Sequence, residues 1–118
     1  MVQYQIDSLD ASFAALSDAT RRGVLARLAR ADASISVLAA SFGMTLTGMK
    51  KHVSVLERAE LVITEKVGRV RTCRLGRRGL ESEAAWIEEH RRLWAARFDA
   101  LENLVAELKL KEEANAPE

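Results

Sequence analysis

Ile6, Leu9, Phe13 and Leu16 recur at helical spacing, which predicts a first helix over residues 6–16 with one apolar stripe. Ser17 and Asp18 interrupt that row. Asp18 suits the N-cap of a second helix, because its carboxylate can accept the free N–H groups of a first turn, and Val24, Leu25 and Leu28 then face inward as far as about Arg30. Ala31–Ser34 reads as a break. Ser34 can cap a third helix with Ile35, Leu38, Ala39 and Phe42 on its buried face, closed by Gly43. Thr45 can cap a fourth, with Met49, Val53 and Leu56 inward. The stretch LVITEKVGRVRTCRL places β-branched residues on both sides of Val67-Gly68, which predicts two strands, 61–66 and 70–75, joined by a tight turn.

From Gly79 onward the pattern lengthens. Leu80, Ala84, Ile87, Arg91, Trp94, Phe98, Leu101, Val105 and Leu108 step by alternating fours and threes, and Trp86, Leu93 and Leu104 broaden the row. A helix of that length would reach about 45 Å, more than a small domain covers by itself. Part of the stripe therefore calls for a second chain. The closing KEEANAPE is polar, and residues 109–118 are expected to form a flexible tail.

The chain has 118 residues, 48% hydrophobic and 30% charged, with a single Pro, enough for one globular domain and too few for two. No apolar run reaches the roughly 18 residues of a membrane helix, and MVQYQIDSLD lacks the basic start and apolar stretch of a signal peptide. A cytoplasmic protein with no membrane contact is expected. A lone cysteine, Cys73, excludes an internal disulfide and a cysteine metal cluster, and its place beside Leu75 in the second strand suits a small buried hydrophobe.

Net charge is only +1, yet its distribution is uneven. Residues 44–77 carry eight basic and three acidic side chains, a balance of +5, whereas residues 78–107 carry four and seven, a balance of −3. A basic middle within a near-neutral chain is the pattern of a localised polyanion-binding face. No Ser/His/Asp or Cys/His set, phosphate-cradling glycine loop or paired-carboxylate pocket stands out, so an enzyme is not expected.

This order of elements, mainly α with a small β-hairpin (α-α-α-α-β-β-α), is that of a winged helix-turn-helix domain. The stretch LSDATRRGVLARL resembles the start of ArsR-type (ArsR/SmtB) bacterial transcriptional repressors. VLAASFGMTLTGMKKHVSVLERAELV looks like that family's helix-turn-helix, EKVGRVRTCRL looks like its wing, and WIEEHRRLWAARFDAL resembles the last helix of a subset without obvious metal ligands.

The resemblance implies a homodimer formed through residues 6–16 and 78–108, with Leu9, Phe13, Leu16, Trp94, Phe98, Leu101, Val105 and Leu108 at the interface. It also implies a fourth helix lying in the major groove of double-stranded DNA and repression from a palindromic operator. Physical reasoning on the same residues agrees. With Met49, Val53 and Leu56 inward, the outward set is Thr45, Thr47, Lys50, Lys51 and Ser54. Thr47 and Lys50 suit base contact, since a Thr methyl fits thymine and Lys donates to guanine O6 or N7. Thr45 either contacts DNA or only caps the helix; Gly48 either brings the backbone close or tolerates crowding. His52 suits a polar support or a phosphate contact. Lys66, Arg69 and Arg71 on the wing can reach phosphates or a narrow minor groove, and Arg21 and Arg22 are placed near the phosphate backbone.

Departures from the family carry weight too. Its metal sensors use cysteines in the third helix, where this chain has Ser34-Ile35-Ser36-Val37, or Asp and His pairs in the last helix, where only His90 stands beside Glu83, Glu88 and Glu89. Zinc wants four ligands including sulfur or imidazole, so neither metal nor cofactor is expected. Glu60 stands where the family usually has Gly, which predicts strain or a different turn at 59–61. Two other readings remain open: a dimeric protein-interaction module of the same fold that has lost DNA binding, and a metal-sensing repressor with an unusual site.

Overall fold

The computed structural model describes residues 2–115, with side chains from Ser8 onward. The inward placement of Ile6 and the last three residues of the expected tail lie outside the described residues. Five helices and a small sheet follow the order α1 (Val2–Leu16), α2 (Ala19–Leu28), β1 (Ala33–Ser34), α3 (Ile35–Ser41), α4 (Leu46–Arg58), β2 (Val62–Val67), β3 (Val70–Leu75) and α5 (Glu81–Ala114).

Each expected cap is present. Asp18 accepts from the N–H of Arg21 at 3.0 Å, Ser34 from Val37 at 3.1 Å and Thr45 from Gly48 at 3.0 Å. In all three the side chain takes up an N–H that an opening helical turn leaves without a partner. The inward residues Val24, Leu28, Ile35, Leu38, Ala39, Met49, Val53 and Leu56 join Leu61, Val62 and Cys73 in one buried core, with Leu25 and Phe42 packed against it. Full burial of side chains such as Leu38, Met49 and Leu56 contributes about 1.5–3 kcal/mol each.

β2 and β3 pair antiparallel with Val67 opposite Val70, so Gly68 and Arg69 form a two-residue turn. Gly68 has φ 63°, as the first central residue of a primed hairpin turn requires. β1 adds a third strand, pairing Ala33 with Cys73 and Ser34 with Thr72. The sequence pattern reads this segment as a break, because two residues are too few to show strand alternation.

The last helix starts at Glu81, not 78, after Gly79 turns the chain at φ 59°, and it continues through 109–114, where a tail is expected. Lys, Leu, Glu and Ala in that stretch are good helix formers. The chain divides into two compact units, Met1–Glu83 and Ala84–Glu118. All strands and α1 to α4 belong to the first; the second is the body of α5.

α3 and α4 end alike. Met44 N–H donates to the Ala39 carbonyl and Gly43 N–H to Ala40, while Leu61 N–H donates to Leu56 and Glu60 N–H to Glu57. This paired closure needs a left-handed residue, supplied by Gly43 at φ 62° and by Glu60 at φ 63°. Glu60 thus adopts the strained conformation that its sequence position predicts. The turn persists because Gly76 N–H donates to the Leu61 carbonyl at 2.9 Å, and a Cβ on Gly76 would collide with the Glu60 carbonyl oxygen. Relieving the strain should stabilise the fold. Glu60→Gly is expected to raise the urea midpoint by the equivalent of about 0.5–1 kcal/mol without changing the slope, the gain being limited by glycine's greater freedom in the unfolded chain. An unchanged or lower midpoint would show that the Glu60 side chain contributes more than its backbone costs.

Candidate nucleic-acid interface

α4 carries its buried stripe, Met49, Val53 and Leu56, on one side, which leaves Thr47, Lys50, Lys51 and Ser54 exposed along the rest of its surface. Arg58 continues that exposed face at the C-terminal end, a cation that the reading by helical turns passes over because it lies beyond the first half of the helix. Thr45 is exposed, but its Oγ1 is engaged as the helix cap. At Gly48 a Cβ would sit 3.2 Å from Thr45 Oγ1 and 3.3 Å from Met44 Cε, so this glycine relieves crowding around the cap.

The hairpin register settles which wing residues share a face. Val62, Thr64 and Lys66 lie opposite Leu75, Cys73 and Arg71, and since Val62 and Cys73 are buried, Lys66 and Arg71 extend from the core-facing side of the sheet. Arg71 Nη1 donates to Thr64 Oγ1 at 3.0 Å, and that hydroxyl donates to the Glu57 carboxylate of α4, which ties the base of the wing to the helix. Lys50, Lys66, Arg69 and Arg71 line one concavity of about 380 Å³ with Ser34 and Ser36, and no acidic residue is among its walls. Four cations and two hydroxyls on one concave surface suit a polyanion backbone. The two serines were not among the expected site residues; Ser34 is legible in the sequence only as a cap.

Arg21 and Arg22, expected near the phosphate backbone, bond in this chain to the end of α1, and Arg22 stays exposed. Arg21 Nε and Nη2 donate to the carbonyls of Ala15 and Ala14 at 2.8 and 3.1 Å, and Arg22 Nη1 donates to Leu16 at 2.8 Å. They take up the carbonyls of Ala15 and Leu16 at the end of α1 and add to that of Ala14, which also accepts from Ser17. Arg21 Nη1 also meets His52 Nδ1 at 3.2 Å. Next to this cluster the N–H of Arg21 holds the Asp18 carboxyl below its ordinary range; burial opposes this, and the charges of His52 and Arg21 add to it.

A family model described as a helix-turn-helix domain matches residues 16–65, the stretch from the end of α1 into β2. Comparison with curated proteins returned no match. Among solved structures, an ArsR family transcriptional regulator is 40% identical over 79% of this chain and 93% of its own, with a TM-score of 0.68. An ArsR-like transcriptional regulator from Rhodococcus sp. RHA1 is 34% identical over 88% of this chain and 96% of its own, with a TM-score of 0.72. The chain belongs to the ArsR family of transcriptional regulators. It is therefore a regulator and not an enzyme. The homodimeric winged helix-turn-helix DNA-binding domain Mb0332 from Mycobacterium bovis, 23% identical over 96% of this chain and 90% of its own, shares the fold with a TM-score of 0.59.

Among the described residues no three His, Cys, Asp or Glu side chains gather as a metal site would need. His90 Nδ1 meets the Trp86 carbonyl at 2.9 Å, and its ring stacks on Trp86 at a centroid distance of 3.9 Å. Cys73 is fully buried, and burial, with Glu57 adding to it, pushes its thiol up to about 11, which keeps it protonated and unreactive. No described helix is long and apolar enough to cross a membrane.

The residues expected at a dimer interface fall into two sets. Leu9, Phe13 and Leu16 on α1 are half-buried, and Leu16 packs in part against the core of its own chain. On α5, Trp94, Phe98, Leu101, Val105 and Leu108 are all exposed, Trp94 at 69% and Phe98 at 61%. Exposed aromatics of this size in one row are uncommon on a surface that faces only water.

Proposed function

We propose that this ArsR-family regulator acts in the cytoplasm as a homodimeric, sequence-specific DNA-binding repressor. Two copies joined through α1 and α5 would bind a palindromic operator in double-stranded DNA and block polymerase by occupancy. The observation that carries this reading is the concavity shared by α4 and the wing, where Lys50, Lys66, Arg69 and Arg71 converge. In this reading Thr47 and Lys50 meet base edges, Lys51, His52 and Ser54 contact or support contacts to the backbone, and Lys66, Arg69 and Arg71 bind phosphates. Two recognition helices related by a twofold axis place half-site centres about one helical turn, roughly 34 Å, apart. Neither metal nor cofactor takes part, so a chelator should leave affinity unchanged.

Selection of duplexes from a random pool by the pure protein, followed by titration at increasing salt, tests the proposal. An imperfect palindrome whose affinity falls steeply with salt is expected, because each neutralised phosphate releases counterions. Lys50→Ala and Thr47→Ala should each lose discrimination at particular base pairs, by about 1–3 kcal/mol for a good contact. Arg69→Ala should instead weaken all sequences alike and lessen the salt slope. Binding of every duplex equally, or of none at low salt, overturns the reading in favour of a module that keeps the fold without the activity.

A further inference from the structure

His52 lies on α4, and the nitrogen of its ring that faces the protein is constrained by chemistry. Arg21 Nη1 sits 3.2 Å from His52 Nδ1. A guanidinium has donors only, so Nδ1 must offer its lone pair. The alternative, a proton on Nδ1, would set two donors against each other. Asp18 does not supply another acceptor for such a proton, because its Oδ2 is 3.8 Å from Nδ1, beyond hydrogen-bond range, and already accepts from the Arg21 backbone. Arg21 in turn has little freedom to turn away, since Nε and Nη2 are held by the Ala15 and Ala14 carbonyls.

We infer that Arg21 is a positioning residue for DNA binding: it fixes His52 as the Nε2–H tautomer and so makes that imidazole a directed donor to a DNA phosphate. The side chain of His52 is 21% exposed, so the ring is not sealed from solvent. Its place on the helix selects the backbone over the bases. His52 is three residues from Met49, which sets it about 60° from the buried stripe on the side of α2, while Lys50 lies on the other flank beside the wing. A helix lying in the major groove meets bases with its outward face and the two phosphate strands with its flanks. Lys50 and His52 thus bracket Thr47 and Ser54, one flank supplying a mobile cation and the other a donor of fixed direction. The tautomer is a property of the free protein; the phosphate contact rests on the DNA-binding function proposed above.

Nitrogen-15 NMR of the free, full-length protein at about pH 8, above the ordinary imidazole range near 6.5, reads the tautomer directly. A His52 signal with the proton on Nε2 is expected, and a proton on Nδ1 overturns the inference. In Arg21→Met the two tautomers should both become populated, and DNA affinity should fall although residue 21 touches no DNA; a tautomer unaltered in that variant also overturns the inference. Should Arg21→Met fail to fold, substitution of His52 itself gives an independent test. His52→Gln places an amide N–H close to the Nε2 position and His52→Asn places one at Nδ1. His52→Gln should bind the selected duplex within about threefold of wild type and His52→Asn about tenfold more weakly, with similar thermal unfolding. Equal affinities for the two variants, with wild type binding well, overturn this inference alone, whereas a wild type that binds no duplex overturns the DNA-binding reading itself.

Discussion

Phe98→Glu is expected to convert the protein to a single-chain species or an unfolded chain and to lower operator affinity by at least about 100-fold, although α5 carries none of the candidate DNA contacts. The row Trp94, Phe98, Leu101, Val105 and Leu108 is exposed along its length in one chain, and covering each large side chain contributes about 1.5–3 kcal/mol. A carboxylate at the centre of that row would have to be buried without a partner, which costs several kcal/mol in each copy. Association is then lost. Binding follows, because a dimer engages its second half-site at a high effective concentration that two separate chains lack. Leu101→Glu should do the same. Asp99→Arg reverses a charge on the far face of the same helix and should change neither mass nor affinity. Sedimentation of the wild type and the three variants gives the answer, and a wild type that sediments as one chain refutes the interface.

The parts of this fold that are legible in the sequence depend on neighbours a few residues away. Asp18, Ser34 and Thr45 are readable as caps because each bonds an N–H three residues on, and the stripe of α4 repeats within one or two turns. The left-handed turn at Glu60 is one of the two outcomes, strain or a different turn, that its departure from the family's usual Gly implies. What the sequence hides is the role of a side chain whose partner is remote. Arg21 looks like a phosphate ligand until the end of α1 and His52, 31 residues later, are seen to claim its donors. Ser12 lies on α1 among residues expected at the interface, yet it is fully buried and meets Arg78, 66 residues away. Charge counting fails for the same reason. Arg78 and Glu83 both enter the −3 balance of the C-terminal stretch as surface charges, but they face each other inside the first unit of the fold.

That pair is the second place where a large effect is expected. Arg78 Nη1 lies 2.9 Å from Glu83 Oε1 and 3.2 Å from Oε2, while Nη2 donates to Ser12 Oγ and, at 3.0 Å, to the Ala59 carbonyl at the end of α4. Glu83 is only 2% exposed, so its charge has no water to fall back on, and Arg78, partly exposed, still leaves Nε without a protein partner among the described residues. Removing one member strands the other. Glu83→Met and Arg78→Met should each destabilise the fold by about 3–5 kcal/mol, whereas the double variant Arg78→Met/Glu83→Met should recover most of that loss, leaving a deficit of about 1 kcal/mol at the Ala59 carbonyl. Acidity provides a second readout. Burial raises the Glu83 carboxyl, but the Ser12 hydroxyl, its own backbone N–H and Arg78 together hold it below its ordinary value. A carboxyl lowered in the folded state stabilises above the unfolded value, near 4.3, and that contribution is lost as pH falls through the lower folded value. The gap in urea midpoint between wild type and Glu83→Gln should therefore be widest near neutrality and narrow below about pH 4. A gap that is constant with pH, or a double variant as unstable as the sum of the singles, would show that Arg78 and Glu83 act through packing and not as a coupled pair.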